Sequence, residues 1–275
     1  MAYAALTRAV RRRAPFRPNI FQENPMKADK PARGEKPLRE PARRRRHRTL
    51  PGVFPTSKNP RGYVRTRLPL MMDGLVHIDT DPTWTKILPY AEVIRFWGYD
   101  RRGRLCIREH VPDLKVMAAD GDTVFIDYIP YALQQEDPYF ERHKAAIEES
   151  CWERHRASYA VHDELCIYRE PLYSNLTVMW RHRLDGLDDE AVIAVRKAVA
   201  RLGRPSTIGE ITREAALPGI RMEWDGAGPS HSFDMDDVDR AFSAIMQLTL
   251  NGEVETDLSR RLSSSTEVSV PGAAR

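Results

Sequence analysis

Asp113 and Asp127 are the two residues of this sequence whose types and spacing suit chemistry. They stand 14 residues apart, with Asp120-Gly121-Asp122 between them as a hairpin turn signal. Asp113-Leu114-Lys115-Val116-Met117 and Val124-Phe125-Ile126-Asp127-Tyr128-Ile129 read as the two strands of that hairpin. Paired in this way, both carboxylates can face one side and share a divalent ion. Mg²⁺ takes a few carboxylate oxygens and fills the rest of its shell with water. An ion so held generates hydroxide and stabilises charge on a phosphodiester, and a neighbouring lysine neutralises the charge that develops. Lys115, two residues beyond Asp113, shares its face on a regular strand. Lys144 on the helix that follows is a second candidate. The same spacing also fits ordinary turn or edge aspartates.

The elements that position these residues follow from periodicity. Val93–Trp97 and Leu105–Val111 read as strands around a turn at Arg101-Arg102-Gly103. Over 137–157 the period becomes helical, with Phe140, Lys144, Ile147, Cys151 and His155 three or four apart. Ser158–Tyr168 reads as a strand and Leu172–Arg181 as a short helix. Strands first, then helix, strand and helix, predict an α/β domain. Beyond Asp185-Gly186, a helix over 188–202 ends at Gly203, and Thr207 with Glu210 forms a capping box for a helix through Ala216. Pro229–Phe233 reads as loop. Asp234 then caps a helix with the stripe Val238, Phe242, Ile245, Met246 and Leu250, closed by Asn251-Gly252. Glu253–Leu258 and Thr266–Val270 read as short strands. Three helices and a β-ribbon are the order of a winged helix.

Charge divides the chain differently. Residues 1–50 hold 15 Lys+Arg and 4 Asp+Glu, a balance of +11, whereas the other 225 residues balance to −7. A cationic arm on an acidic body points to a polyanion, nucleic acid first. The candidate phosphate-binding side chains are Arg11, Arg12, Arg13, Arg43, Arg44, Arg45, Arg46 and Arg48 in the arm, and Arg260 and Arg261 in the turn of the C-terminal ribbon. Four aspartates at 234, 236, 237 and 239 make the third helix a poor reader of DNA, with Arg240 its only basic residue. The winged helix therefore has DNA or protein open to it as partner. Trp180-Arg181-His182-Arg183 reads as a phosphate-touching or a linker-facing cluster, and His143 and His155 as surface residues. Nine prolines in residues 1–61 predict a disordered tail. Three cysteines are too few for a disulfide framework or a tetrahedral zinc site, which points to a reducing cytosolic compartment. No apolar run reaches the ~20 residues of a membrane span.

Pro112-Asp113 with Asp127-Tyr128-Ile129 resembles the P-D…(D/E)-x-K nuclease motif. The surrounding pattern is similar to the TnsA-like endonuclease subunits of heteromeric transposases over about residues 63–270. Arg102-Gly103-Arg104, His110–Val116 and Phe125–Ile129 stand at that family's glycine-rich turn, its "P-D-F-x-V" and its "E-V-K". Asp81-Pro82, the Tyr168–Leu176 segment with Asn175, and the Ile245–Leu258 ending are further likenesses. The departures are chemical. Ile129 stands at the lysine and Asp127 at the glutamate. Arg65–Leu70 stands where the family has a helical glutamate, holds no acid, and has Pro69 arguing against a helix.

The resemblance implies a restriction-endonuclease-like mixed sheet with flanking helices over 62–185. A winged-helix-like domain follows over 186–270, between a disordered basic tail over 1–61 and a frayed end at 271–275. It implies a DNA-associated, nuclease-like subunit, nucleoid-associated in the cytoplasm, weak or inactive in cleavage. Its partners would be DNA, a DDE-type transposase and an ATPase, with Mg²⁺ held by Asp113 and Asp127 if the site is competent. Lys115 would be the rescue for the missing lysine. The competing class is a DNA-binding regulator that uses the winged helix and tail, with the α/β part for sensing or dimerisation.

Overall fold

The computed structural model describes residues 37–39, 50–100, 102–183, 188–224, 231–235 and 237–272. Residues 52–61, placed in the disordered tail by the sequence, carry regular structure. Strand β1 (Gly52–Pro55) pairs antiparallel with β2 (Tyr63–Thr66). One apolar residue among the prolines accounts for this: Phe54 is buried, its ring centroid 4.9 Å from that of Trp180. The loop between the strands is tied inward by polar bonds. Thr56 donates to Asp79 Oδ1 at 2.5 Å, and Asn59 donates to the Ile87 carbonyl at 2.7 Å.

Helix α1 (Pro69–Thr80) corrects the reading of Pro69. Proline cannot sit in a helix interior, but in the first turn its missing N–H has no partner to lose and its φ is already helical. Pro69 therefore starts the helix rather than preventing it. Met71, Leu75 and Ile78 form the buried stripe.

Strands β3 (Trp84–Pro89), β4 (Ile94–Tyr99), β5 (Leu105–His110), β6 (Leu114–Ala118) and β7 (Thr123–Tyr128) follow. The turn from β6 to β7 is made by Gly121 at φ +91°, a conformation that suits glycine. A short helix α2 (Tyr131–Glu136) and the longer α3 (Phe140–His155) then lead into β8 (Ser158–His162). The main sheet has the order β3-β6-β7-β8, antiparallel except for the last pair, which is parallel across the α2–α3 crossover. β4 and β5 form a separate antiparallel ribbon.

Strand alternation gives the sheet two faces. Leu114, Val116, Val124, Ile126 and Tyr128 pack toward α1. Phe125 and Tyr159 pack with Ile147 and Cys151 of α3 and with Ile94 and Phe96 of β4. The strand expected over 158–168 stops at His162. Asp163 accepts from the backbone N–H of Leu165 and Cys166 and so starts helix α4 (Glu164–Ile167). Helix α5 (Leu172–His182) comes next.

The C-terminal part is built from α6 (Asp189–Leu202), β9 (Ser206–Thr207), α7 (Ile208–Ala215), β10 (Ile220–Trp224), β11 (His231–Met235), α8 (Asp237–Leu250), β12 (Glu255–Thr256) and β13 (Glu267–Ser269). Gly203, at φ +61°, ends α6, and the Thr207–Glu210 capping box starts α7. The sheet order is β12-β13-β9. Two expectations change here. Residues 231–233 are strand rather than loop, because β11 pairs with β10. Asp234 lies in that pairing opposite Arg221, so α8 begins at Asp237.

One apolar cluster runs through both halves, from Phe54 and Ile126 through Leu176 and Met179 to Ile245 and Val268. The protein is a mixed α/β structure with several sheets. Among the described residues, no helix is long and apolar enough to cross a membrane.

Candidate functional site

Asp113, one residue before β6, and Asp127, on β7, lie side by side on the sheet face that carries Phe125. The Asp113 N–H donates to Asp127 Oδ1 at 3.2 Å, and the Tyr128 N–H donates to Asp113 Oδ2 at 2.9 Å. Both carboxylates are buried, at 1% and 2% exposure, so their partners decide what they can do.

Asp113 is held by Arg67, from the link between β2 and α1. The guanidinium forks onto both carboxylate oxygens at 2.6 and 2.7 Å, and its Nη2 also donates to the Tyr128 carbonyl at 2.8 Å. Burial pushes the Asp113 carboxyl up, while the fork and the Tyr128 N–H pull it back. Burial opposes the Arg67 charge too, but the bonds to Asp113 outweigh it and hold its pKa above the usual arginine value.

Asp127 is held from the other side. Its Oδ2 accepts from the Tyr159 hydroxyl at 2.6 Å and lies 2.5 Å from His110 Nε2. Burial, and then the Asp127 charge, push the Tyr159 hydroxyl well above its ordinary pKa, so it remains a donor. Tyr90, at φ +50°, donates its N–H to the Asp113 carbonyl at 3.1 Å and closes the site from the β3 end.

Lys115 shares the face, as alternation requires, but its ammonium pairs with Glu92 and sits 5.6 Å from the centroid of the Phe125 ring. Glu92 also takes His155 Nδ1 at 2.8 Å. Burial raises the Glu92 carboxyl, yet His155 and Lys115 outweigh it and hold the pKa at about 2. Lys115 and His155 thus clasp α3 to β6 through one carboxylate. Ile129, past the end of β7, is half-buried and donates its N–H to the His162 carbonyl at 3.0 Å. Lys144 lies half-buried on α3. His143 accepts from the Tyr99 N–H at 3.0 Å, a brace between α3 and the β4–β5 ribbon.

Arg67, His110 and Tyr159 are the partners that sequence reasoning missed. Nothing in periodicity joins an arginine ahead of α1 to an aspartate 46 residues later. In the sequence His110 stands inside the Leu105–Val111 strand and just ahead of Pro112-Asp113, with nothing there to join it to Asp127.

The basic candidates separate. Arg11, Arg12, Arg13, Arg43, Arg44, Arg45, Arg46 and Arg48 lie outside the described residues. Arg260 and Arg261 are exposed in the loop between β12 and β13. The buried Asn175 holds that loop, donating to the carbonyls of Leu258 (3.1 Å) and Arg260 (2.6 Å) and accepting from Leu262 N–H (3.1 Å). Arg240 is buried and forks onto Asp188, with Glu190 as a second partner. Of the cluster that closes α5, Trp180 donates to Asp79 at 2.9 Å, and Arg183 stacks 3.5 Å from the Trp180 ring centroid.

A scan against protein-family models finds no match for this chain, and a search of curated proteins finds none either. Among the described residues, no group of three or more His, Cys, Asp and Glu side chains is arranged to hold a metal ion.

Proposed function

We propose that this chain is a DNA-associated, nuclease-like subunit of a transposition system whose paired-carboxylate centre is structural rather than cleaving. The observation that carries the reading is the Arg67 fork on Asp113. A cation stands at the place where the TnsA-like pattern has an acid, beside a Pro-Asp on the β6–β7 hairpin. The sheet order β3-β6-β7-β8, with α1 before it and α3 on the crossover, supports a restriction-endonuclease-like core. A C-terminal winged helix finds support in β9 lying between α6 and α7 and pairing with β13, and in β12–β13 following α8.

The centre as arranged does not fit Mg²⁺. The ion needs carboxylate oxygens turned toward it. Each oxygen of Asp113 and Asp127 already accepts a hydrogen bond, and the Arg67 charge occupies the position of a cation. The guanidinium does for the buried carboxylates what a metal would otherwise do: it makes their burial tolerable. The DDE-type transposase, the ATPase and the element ends remain the partners of this reading.

A supercoiled-plasmid nicking assay with Mg²⁺ or Mn²⁺, alone and with a partner transposase, tests it. No nicking by the chain alone is expected. Robust nicking lost in Asp113→Ala would overturn the structural role of the pair. Binding to DNA in a gel-shift assay tests the association; its absence would sink the whole reading. The regulator alternative gains from the same filled centre, since a regulator needs no cleavage. Binding to one operator-like sequence, with no effect of the chain on a transposase, would favour it.

A further inference from the structure

The β4–β5 ribbon stands apart from the main sheet, and its two faces have opposite character. The inner face seats Ile94 and Phe96 on Phe125, Ile147 and Cys151. Gly98 permits that close seat, because a Cβ there would meet Phe96 at 2.8 Å and His143 at 3.0 Å. The outer face carries Trp97 directly opposite Ile107, with Leu105 nearby, at 59%, 62% and 59% exposure. Three large apolar side chains left in water on one short ribbon suggest a partner.

The surrounding charge says which kind. Residues 93–110 hold five arginines and two acids, although residues 51–275 as a whole are net acidic. Arg102 and Arg104 are exposed at the tip, where Asp100 shapes the turn by accepting from both their backbone N–H groups and also pairs with the Arg104 guanidinium at 2.7 Å, a surface ion pair weak enough for a phosphate to replace. The exposed Arg142 of α3 packs over the Tyr99 ring at 5.5 Å, adding a third cation at the same end. Phosphates answer the arginines, and the flat face of a base answers Trp97 and Ile107. An intact duplex offers phosphates but hides its base faces, whereas unpaired bases offer both.

We propose that the β4–β5 ribbon is a binding arm for DNA with unpaired bases. Trp97 is its stacking platform, with Ile107 and Leu105 beside it, and Arg102, Arg104 and Arg142 are its phosphate contacts. The inference rests on the reading that the chain's partner is DNA, and it adds the site and the form of DNA.

The test uses fluorescence anisotropy of the full chain with an intact duplex, the same duplex with a short central gap, and the single strand. Trp97→Ala is expected to weaken binding to the gapped and single-stranded probes about tenfold, with little change on the intact duplex and an unchanged salt slope. Trp97→Phe, which keeps a stacking ring, is expected to retain most of the affinity. The Arg102→Ala/Arg104→Ala pair is expected to weaken all three and to lower the salt slope by about one to two. Ile193→Ala, an exposed apolar change on α6, is expected to leave binding as it is. Trp97→Ala binding the gapped duplex as tightly as the wild type would overturn the proposal. So would an equal loss on all three probes, or a dimer that Trp97→Ala converts to monomer with DNA binding intact. A wild-type chain that binds no DNA would sink both this proposal and the function on which it rests.

Discussion

Arg67 and Asp113 are worth more together than either is alone. Removing one partner of a buried pair leaves the other charged and desolvated, which costs about 3–5 kcal/mol. Arg67 keeps some solvent contact, so Arg67→Ala is expected at the low end, about 3 kcal/mol at neutral pH by urea denaturation. The cost has a pH signature. Burial already pushes the Asp113 carboxyl up, and without the fork it rises further. In the variant, the folded state then binds a proton that the unfolded chain releases, so stability falls as pH rises. The gap between wild type and Arg67→Ala should therefore narrow as pH is lowered from 7 toward 5. A constant gap would mean that Asp113 is not the group left unpaired. Arg67→Met/Asp113→Asn should recover most of the loss, because the asparagine oxygen still accepts the Tyr128 N–H. Glu92 shows the opposite sign. With its pKa held at about 2 by His155 and Lys115 against burial, it stabilises the fold above its unfolded value. That contribution is lost as pH falls through about 2, and a carboxyl carbon titration by NMR should find Glu92 titrating there.

Helix α1 and strand β7 meet at a glycine. A Cβ at Gly74 would lie 2.0 Å from Tyr128 Cε1, so the helix can approach the sheet only because that atom is missing. Gly74→Ala gains about 1 kcal/mol of helix propensity but forces the buried Tyr128 ring aside, and overpacking costs 1–3 kcal/mol. A net loss of about 1–2 kcal/mol is expected; a stabilised variant in thermal unfolding would mean that the helix shifts freely over the sheet. The elements differ in how legible they are. β6 and β7 read clearly, because Leu114, Val116, Val124 and Ile126 alternate around a glycine turn. α1 did not, because Pro69 masks a good stripe of Met71, Leu75 and Ile78. Ser158–Tyr168 reads as one strand, whereas β8 ends at His162, because Asp163 starts a helical turn by capping rather than by any change in hydrophobicity. β11 was hidden by the glycine and proline around it, and only its pairing with β10 reveals it. Side-chain partnerships across sequence distance, such as Arg67 with Asp113 or Asn175 with the 258–262 loop, have no local signal at all. The carboxylate pair was therefore visible in the sequence, and what neutralises it was not.

At the scale of the molecule, α5 joins the halves. Asn175 offers three bonds to the backbone of the loop that carries Arg260 and Arg261. Asn175→Ala should speed amide exchange at Leu262 and cost about 2–3 kcal/mol, since orphaned buried partners lose roughly a kcal/mol each. The largest electrostatic feature lies elsewhere, in the 15 basic residues of the first 50. Each phosphate they neutralise releases counterions and adds about 0.9 to the salt slope of duplex binding. Replacing Arg43, Arg44, Arg45, Arg46 and Arg48 with glutamine should flatten that slope by several units. This variant tests the arm better than deletion of residues 1–50. Deletion would also remove the Leu38 N–H bond to the Tyr90 carbonyl (3.0 Å) and the Arg39 guanidinium 5.5 Å from the centroid of the Tyr90 ring. Tyr90 braces Asp113, so a truncated chain could lose affinity through the carboxylate centre rather than through charge. With the glutamines in place the chain length and the Tyr90 contacts persist, and only the counterions change. An unchanged slope would make the arm a linker and leave the exposed arginines of the folded part to carry the phosphate contacts.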